Sequence, residues 1–340
     1  MLWGSVAQQK GGNGVYHPLR GLSAPRAIRK YTTARVAQRI LGQDFRWHNL
    51  QATHEVTAMA INQRSLLFIT IIGVGILLAG CGGGGPSISF PPPQGGFNNS
   101  NLSGAFAFSY TGSDAGGFLA VAGSFVSDGA GHITSGMQDI NSGLGIFTNA
   151  AITGTYTVHA DGRGSASLVS PSGNTTVDFV LVAGGHALVT RFDSNAAGSG
   201  TIDQQTSSAF SNTALAGSYA FSISGVDSIN NPMGMVGNFT ADSTGALTAG
   251  LEDSNDNGGL LTNDPVTGSI PVAGTGRGTA TFNTGRGTLA FAYYVVDATH
   301  LKLVETDSGS ALSGDAFSQT GTFSNSSVTG PFAFTIAGAD

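Results

Sequence analysis

The sequence predicts an all-β protein of tandem antiparallel β-meander domains, about eight strands each and barrel-like. Three observations predict it. The first is a repeat. Leu102-Ser-Gly104-Ala-Phe106-Ala-Phe108 matches Leu215-Ala-Gly217-Ser-Tyr219-Ala-Phe221 and then Val328-Thr-Gly330-Pro-Phe332-Ala-Phe334, 113 residues apart each time. So long a period marks a duplicated domain, not a solenoid unit. The second is alternation. Phe106 and Phe108 fall on one strand face and Ala105, Ala107 and Ser109 on the other, and Tyr219, Phe221 and Ile223 do the same, the period of a half-buried strand. The third is punctuation by turn residues, such as Ser127-Asp-Gly129, Ala160-Asp-Gly162 and Pro171-Ser-Gly-Asn174. Asp-Gly supplies the positive φ of tight hairpins.

The match persists inside the unit with one-residue slips. Asp139 aligns with Asp253, Arg163-Gly164 with Arg277-Gly278, His186 with His300 and Asp193 with Asp307. Short connections throughout imply hairpins. Closure into a barrel removes exposed edges. The alternative is an immunoglobulin-like β-sandwich of roughly 100 residues. Regular hairpin spacing without a long crossover favours the barrel.

Taken in order, residues 1–58 show no clear apolar period and read as a gene-model extension or a disordered segment, with translation starting at Met59. Residues 59–80 read as a signal peptide. Arg64 precedes an uncharged run of 15 residues, Leu66 to Gly80. At ~1.5 Å per residue a helix of that length falls short of a ~30 Å hydrocarbon core. Residues 81–101 are rich in Gly, Pro, Ser and Asn and read as a tether, reaching roughly 25 Å as a flexible chain. Residues 102–211 form the first β-domain, 212–325 the second, and 326–340 the first strand of a truncated third.

Charge divides the same way. Residues 1–80 carry nine basic and two acidic side chains, whereas residues 81–340 carry five basic and eighteen acidic ones. The exported part is therefore acidic, which excludes a basic nucleic-acid-binding face.

Candidate chemistry is sparse. No Gly-x-Ser-x-Gly elbow occurs, and Cys81 is the sole cysteine, so it has no intrachain disulfide partner. Gly274-Thr-Gly-Arg-Gly278 lacks the Lys-Ser/Thr of a phosphate loop and reads as a β-turn. Asp253, Asn255, Asn257 and Asp264 have the spacing of part of a calcium loop. The flanking helices of that site are missing, so an Asx-rich connection is the reading and no metal or other cofactor is expected. An enzymatic reading would pair His186 with Asp193 and His300 with Asp307, but odd spacing on a strand puts such pairs on opposite faces. Arg163 and Arg277 sit in Gly-Arg-Gly turns, where turn bridging or a surface charge is the default.

Leu78-Ala79-Gly80-Cys81 resembles the bacterial lipobox. That resemblance implies cleavage between Gly80 and Cys81, lipid on Cys81, and attachment to the cell envelope, with Gly82 favouring the outer membrane. Gly104-Ala-Phe106 and Gly217-Ser-Tyr219 resemble the first-strand Gly-x-Trp of lipocalin and avidin barrels, with Phe or Tyr replacing Trp. Residues 59–340 together resemble exported lipoproteins with tandem Gly/Ser/Thr-rich β-domains found in acidobacteria-like soil bacteria, a resemblance that brings no activity with it. The expected function is non-catalytic binding or adhesion at the envelope. A small-ligand carrier with a barrel pocket and an exported hydrolase are the alternatives. A packed interior of Phe106, Phe108, Tyr156 and Phe179 would exclude the carrier.

Overall fold

The computed structural model describes residues 95–182, 185–257 and 259–333. The expectations for residues 1–94, including cleavage after Gly80 and lipidation of Cys81, lie outside the described residues. Both β-domains belong to one compact unit, Pro86–Asp340. No helix among the described residues is long and apolar enough to cross a membrane.

The first domain has β1 (Ser103–Asp114), β2 (Gly117–Asp128), β3 (His132–Ser142), β4 (Gly145–Ala151), β5 (Thr153–Val158), β6 (Arg163–Val169), β7 (Thr175–Val182), β8 (His186–Phe192) and β9 (Ala196–Gln204). The second repeats it with β10 (Gly217–Val226), β11 (Pro232–Ala241), β12 (Ala246–Asp256), β13 (Gly259–Pro265), β14 (Thr267–Ser269), β15 (Arg277–Thr284), β16 (Gly287–Asp297), β17 (His300–Glu305) and β18 (Ala311–Ser318). In domain 1 the order is β2-β1-β9-β8-β7-β6-β5-β3, and β3 pairs back with β2. Eight antiparallel strands thus close a barrel, and β4 pairs with β3 outside the ring. Domain 2 closes in the same way, with β13 outside. The barrel is the architecture, the sandwich is not, and the ninth strand of each unit is an addition to the expected eight.

Alternation carries the core. Phe106, Phe108, Tyr156 and Phe179 all point inward and are buried. In barrel 2, Phe221, Phe239, Phe282 and Phe291 pack ring against ring at 5.4–6.1 Å. Each such side chain contributes roughly 1.5–3 kcal/mol by burial. The cavity left inside barrel 1 is about 20 Å³, room for about one water. Glycine permits the tightest contacts. A Cβ at Gly200 would lie 1.9 Å from the Ser109 carbonyl oxygen, and one at Gly314 1.9 Å from that of Ser222. These matched positions let β9 close on β1, and β18 on β10.

A short 3₁₀ turn, Asn99–Asn101, leads into barrel 1. Phe97, assigned by composition to the tether, packs on the barrel 1 core, so the folded domain starts ahead of Leu102. The Asn99 side chain accepts from the Val158 amide and donates to the Ala130 carbonyl. Asn212 does the same in barrel 2, accepting from the Val272 amide at 2.9 Å and donating to the Thr244 carbonyl at 2.8 Å. Asn212→Ala removes both bonds and is expected to cost about 1–2 kcal/mol, read as a lower midpoint in urea unfolding; an unchanged midpoint would refute this role. A further 3₁₀ turn, Asn325–Ser327, forms at the next repeat position. Residues 331–333 after it hold no strand, and 334–340 lie outside the described residues.

Candidate functional site

The two barrels meet along a seam. Barrel 1 contributes Ala107, Ala120 and Ala122 from the outer faces of β1 and β2, and barrel 2 contributes Ala292, Tyr294, Val296 and Val304 from β16 and β17. Small side chains on one wall let the larger ones of the other approach closely. Phe118 and Met137 pack at the margin.

Polar pins cross this apolar contact. Asp139, on β3, is completely buried. It accepts from Arg277 Nε at 2.8 Å and Nη2 at 2.7 Å, from the Tyr294 hydroxyl, and from the Asn149 amide at 2.8 Å. Hydrogen bonds to this carboxylate raise the Arg277 guanidinium above its ordinary pKa. Burial pushes the Tyr294 phenol well above its own, and the charge of Asp139 adds to that. A second pin joins Lys302 Nζ to Asp203 at 2.8 Å and to the Thr201 hydroxyl at 2.6 Å. Burial raises the Asp203 carboxyl, but the Lys302 ammonium and His186 outweigh it and hold it below the usual carboxylate range. Gln205 and Asn141 complete the seam by donating to the carbonyls of Val295 and Ser310.

The residues singled out in the sequence go to separate places. His186 lies 2.5 Å from Asp203, and His300 lies 2.7 Å from Asp315. Asp193 holds Arg191 and the Asn195 amide, and Asp307 caps the amides of Ala290 and Gly309. The strands therefore give each histidine a carboxylate on the next strand, not the one seven residues along its own. Asp253 accepts from the Asn263 amide, and Asp264 accepts from the Gly285 amide. Asn257 forms the β12–β13 turn with φ 46°, and Asn255 lies on β12. Among the described residues no group of three or more His, Cys, Asp or Glu side chains is arranged around a metal position. Gly274–Gly278 is a tight turn, closed by the Gly276 amide on the Ala273 carbonyl.

The matched arginines part company. Arg163 is 76 % exposed and pairs with Asp161 of its own turn, while Arg277 is 17 % exposed and crosses the seam. Sequence reasoning treated both as turn residues and missed the pin. The available signal was the double match, Asp139 with Asp253 and Arg163 with Arg277.

Beside the seam runs an open groove of about 550 Å³, walled by Ser109, Thr111, Ser222 and Ser224 and reaching Asp315. Lys302 lies 3.5 Å from the Ser109 hydroxyl.

A second, shallower groove of about 380 Å³ lies on the outer face of barrel 2, lined by Ala220, Val236, Leu251, Asp253, Asn263 and Gln319. Their barrel 1 counterparts, 113 or 114 residues earlier, are Ala107, Ala122, Met137, Asp139, Asn149 and Gln205. Five of those six touch barrel 2, and the sixth, Asn149, donates to Asp139. The face with which barrel 1 holds barrel 2 therefore recurs on barrel 2, uncovered by the described residues.

No family model and no curated protein sequence matches the chain. Among solved structures it is similar to the isotype 1 transferrin binding protein B from serogroup B Neisseria meningitidis, at 8 % identity over 64 % of this chain and 76 % of that one, with a TM-score of 0.28. A mutant transferrin binding protein B from Haemophilus parasuis matches at 8 % identity over the same shares, with a TM-score of 0.27. CghA matches at 9 % identity over 65 % of this chain and 90 % of that one, with a TM-score of 0.23. Likeness at this level extends to no ligand or activity of this chain.

Proposed function

We propose that the protein is a lipid-anchored, non-catalytic protein of the cell envelope that binds a partner through the outer face of barrel 2. The observation that carries this reading is the recurrence on barrel 2 of a face already used for docking on barrel 1. Two further features support it. The filled interior of barrel 1 has no room for a carried ligand. His186, His300 and Lys302 are each held by an aspartate instead of facing a common reacting point.

Anchoring rests on Leu78-Ala79-Gly80-Cys81, with outer-membrane sorting as the finer expectation. In a bacterial host, the mature chain is expected to begin at Cys81, to carry a diacylglycerol, and to sediment with membranes. Cys81→Ser should release it to the soluble fraction, and equal membrane retention of both forms would refute the anchor.

Binding is tested by hydroxyl-radical footprinting of the full chain, in cells and after purification. Val236, Leu251 and Phe317 are expected to be protected in the envelope and labelled in the dilute purified protein. Equal labelling in both would overturn the docking role.

A further inference from the structure

We infer that the partner is a second copy of this chain, whose barrel 1 docks on the barrel 2 face and reproduces the seam between molecules. This rests on the docking role proposed above and names the occupant.

The seam is head-to-tail. Barrel 1 uses the outer faces of β1, β2, β3 and β9, whereas barrel 2 uses β16, β17, Arg277 at the start of β15, and the adjoining ends of β18 and β10. The barrels are repeats, so each carries both faces, and one contact leaves one of each unused. A heterologous contact between like units is not self-saturating. The unused face of barrel 2 is the groove already described. That of barrel 1 lies on β6, β7 and β8, where Arg163, Val180, Val182 and Leu188 match Arg277, Tyr294, Val296 and Lys302.

The two unused faces complement each other. The Asp139–Arg277 pair has its counterpart in Asp253 and Arg163, both of which face solvent. The buried ion pair of Lys302 with Asp203 is replaced by Leu188 and Phe317. Both members changed together, from opposite charges to two apolar side chains. This accounts for apolar residues otherwise left in water: Val180, Val182, Leu188, Val236, Leu251 and Phe317 are 36–57 % exposed. Gln319, matching Gln205, stands at the groove rim. Three changes loosen the copy. Asp178 replaces Ala292, adding a carboxylate to the contact, Val236 replaces Ala122, filling space, and Val180 replaces Tyr294, removing the hydroxyl that donates to the aspartate in the seam. The association between molecules is therefore weaker than the seam, and reversible.

A different protein would need the same arginine and apolar patch at the same spacing. A second copy has them by construction. A peptide adding to a strand edge is disfavoured, because this groove lies on a sheet face whose backbone groups are already in ladders.

The test is sedimentation equilibrium of the full chain carrying Cys81→Ser, which removes lipid and thiol as causes of association. The mean mass is expected to rise above that of a single chain with concentration. Asp253→Arg and Arg163→Asp should each weaken association at least about tenfold. An equimolar mixture of the two should regain association, with the variants alternating, because every contact between unlike variants pairs an arginine with an aspartate. Leu188→Glu, at an exposed position, should also prevent association. A wild-type mass held at one chain up to about 200 µM would overturn the inference. So would association that these charge changes leave unaltered. Envelope protection of the barrel 2 face combined with a single-chain purified protein would retire the second copy and leave the docking role standing. No protection would retire both.

Discussion

Arg277→Met is expected to lower the stability of the two-barrel unit by about 3–5 kcal/mol, the size associated with leaving one member of a buried ion pair alone. Asp139 is wholly buried, and Arg277 supplies the only cation among its partners. Without it, a carboxylate remains in an apolar seam with a phenol and one amide. For a unit of this size that corresponds to a fall in Tm of roughly 10 °C. The control lies in the other repeat. Arg163→Met removes a solvent-exposed partner of Asp161, and such pairs are worth about 0–1 kcal/mol. Differential scanning calorimetry of both variants checks the contrast. The Arg277 variant should also separate the melting of the barrels, since the seam couples them. Equal effects from the two matched arginines would rule out the pin.

Raising the pH from 5 to 8 is expected to destabilise the fold by about 1.4 kcal/mol per unit through Glu305. Glu305 is wholly buried on the inner face of barrel 2, and one carboxyl oxygen has no hydrogen-bond partner. Burial is the main cause that pushes its pKa up to about 8; Asp307 adds to this, and the Ser310 hydroxyl opposes it. Below about pH 4.5 both the folded and unfolded states carry the proton, so Glu305 has no effect. Between there and pH 8 only the unfolded chain releases it, so stability is full at the acid end and is lost as pH rises. Glu252 is also raised, chiefly by burial, and acts in the same direction. Aspartates such as Asp203 and Asp242 are shifted down, so they act below this window. Glu305→Gln should match the wild type near pH 4 and exceed it by a few kcal/mol at pH 8. Urea midpoints measured across that range decide it, and parallel pH slopes for the two proteins would refute the assignment.

Much of the fold was legible because strands and turns are local. Period-two alternation at Phe106–Phe108 and Tyr219–Ile223 specified which side faces inward. The 113-residue spacing specified two copies. Strands β4 and β13 were harder to separate, since each follows its hairpin partner closely and departs from it at a bulge where Asn149 and Asn263 take positive φ. The His186–Asp193 and His300–Asp307 pairings were weak for the reason given by strand geometry, and cross-strand register supplied Asp203 and Asp315 instead.

The candidate site is a different kind of object. The sequence by itself determined the duplication, the alternation that fills each barrel, and the presence in each copy of an Asp on the third strand and an Arg in a Gly-Arg-Gly turn. It treats the two copies alike. Only the tertiary structure decided that Asp139 and Arg277 meet while Arg163 and Asp253 stay in water. The physical reason is that two like barrels joined head to tail cannot be equivalent. One contact buries the face of the first and the back of the second, and it leaves the opposite pair free for the next partner.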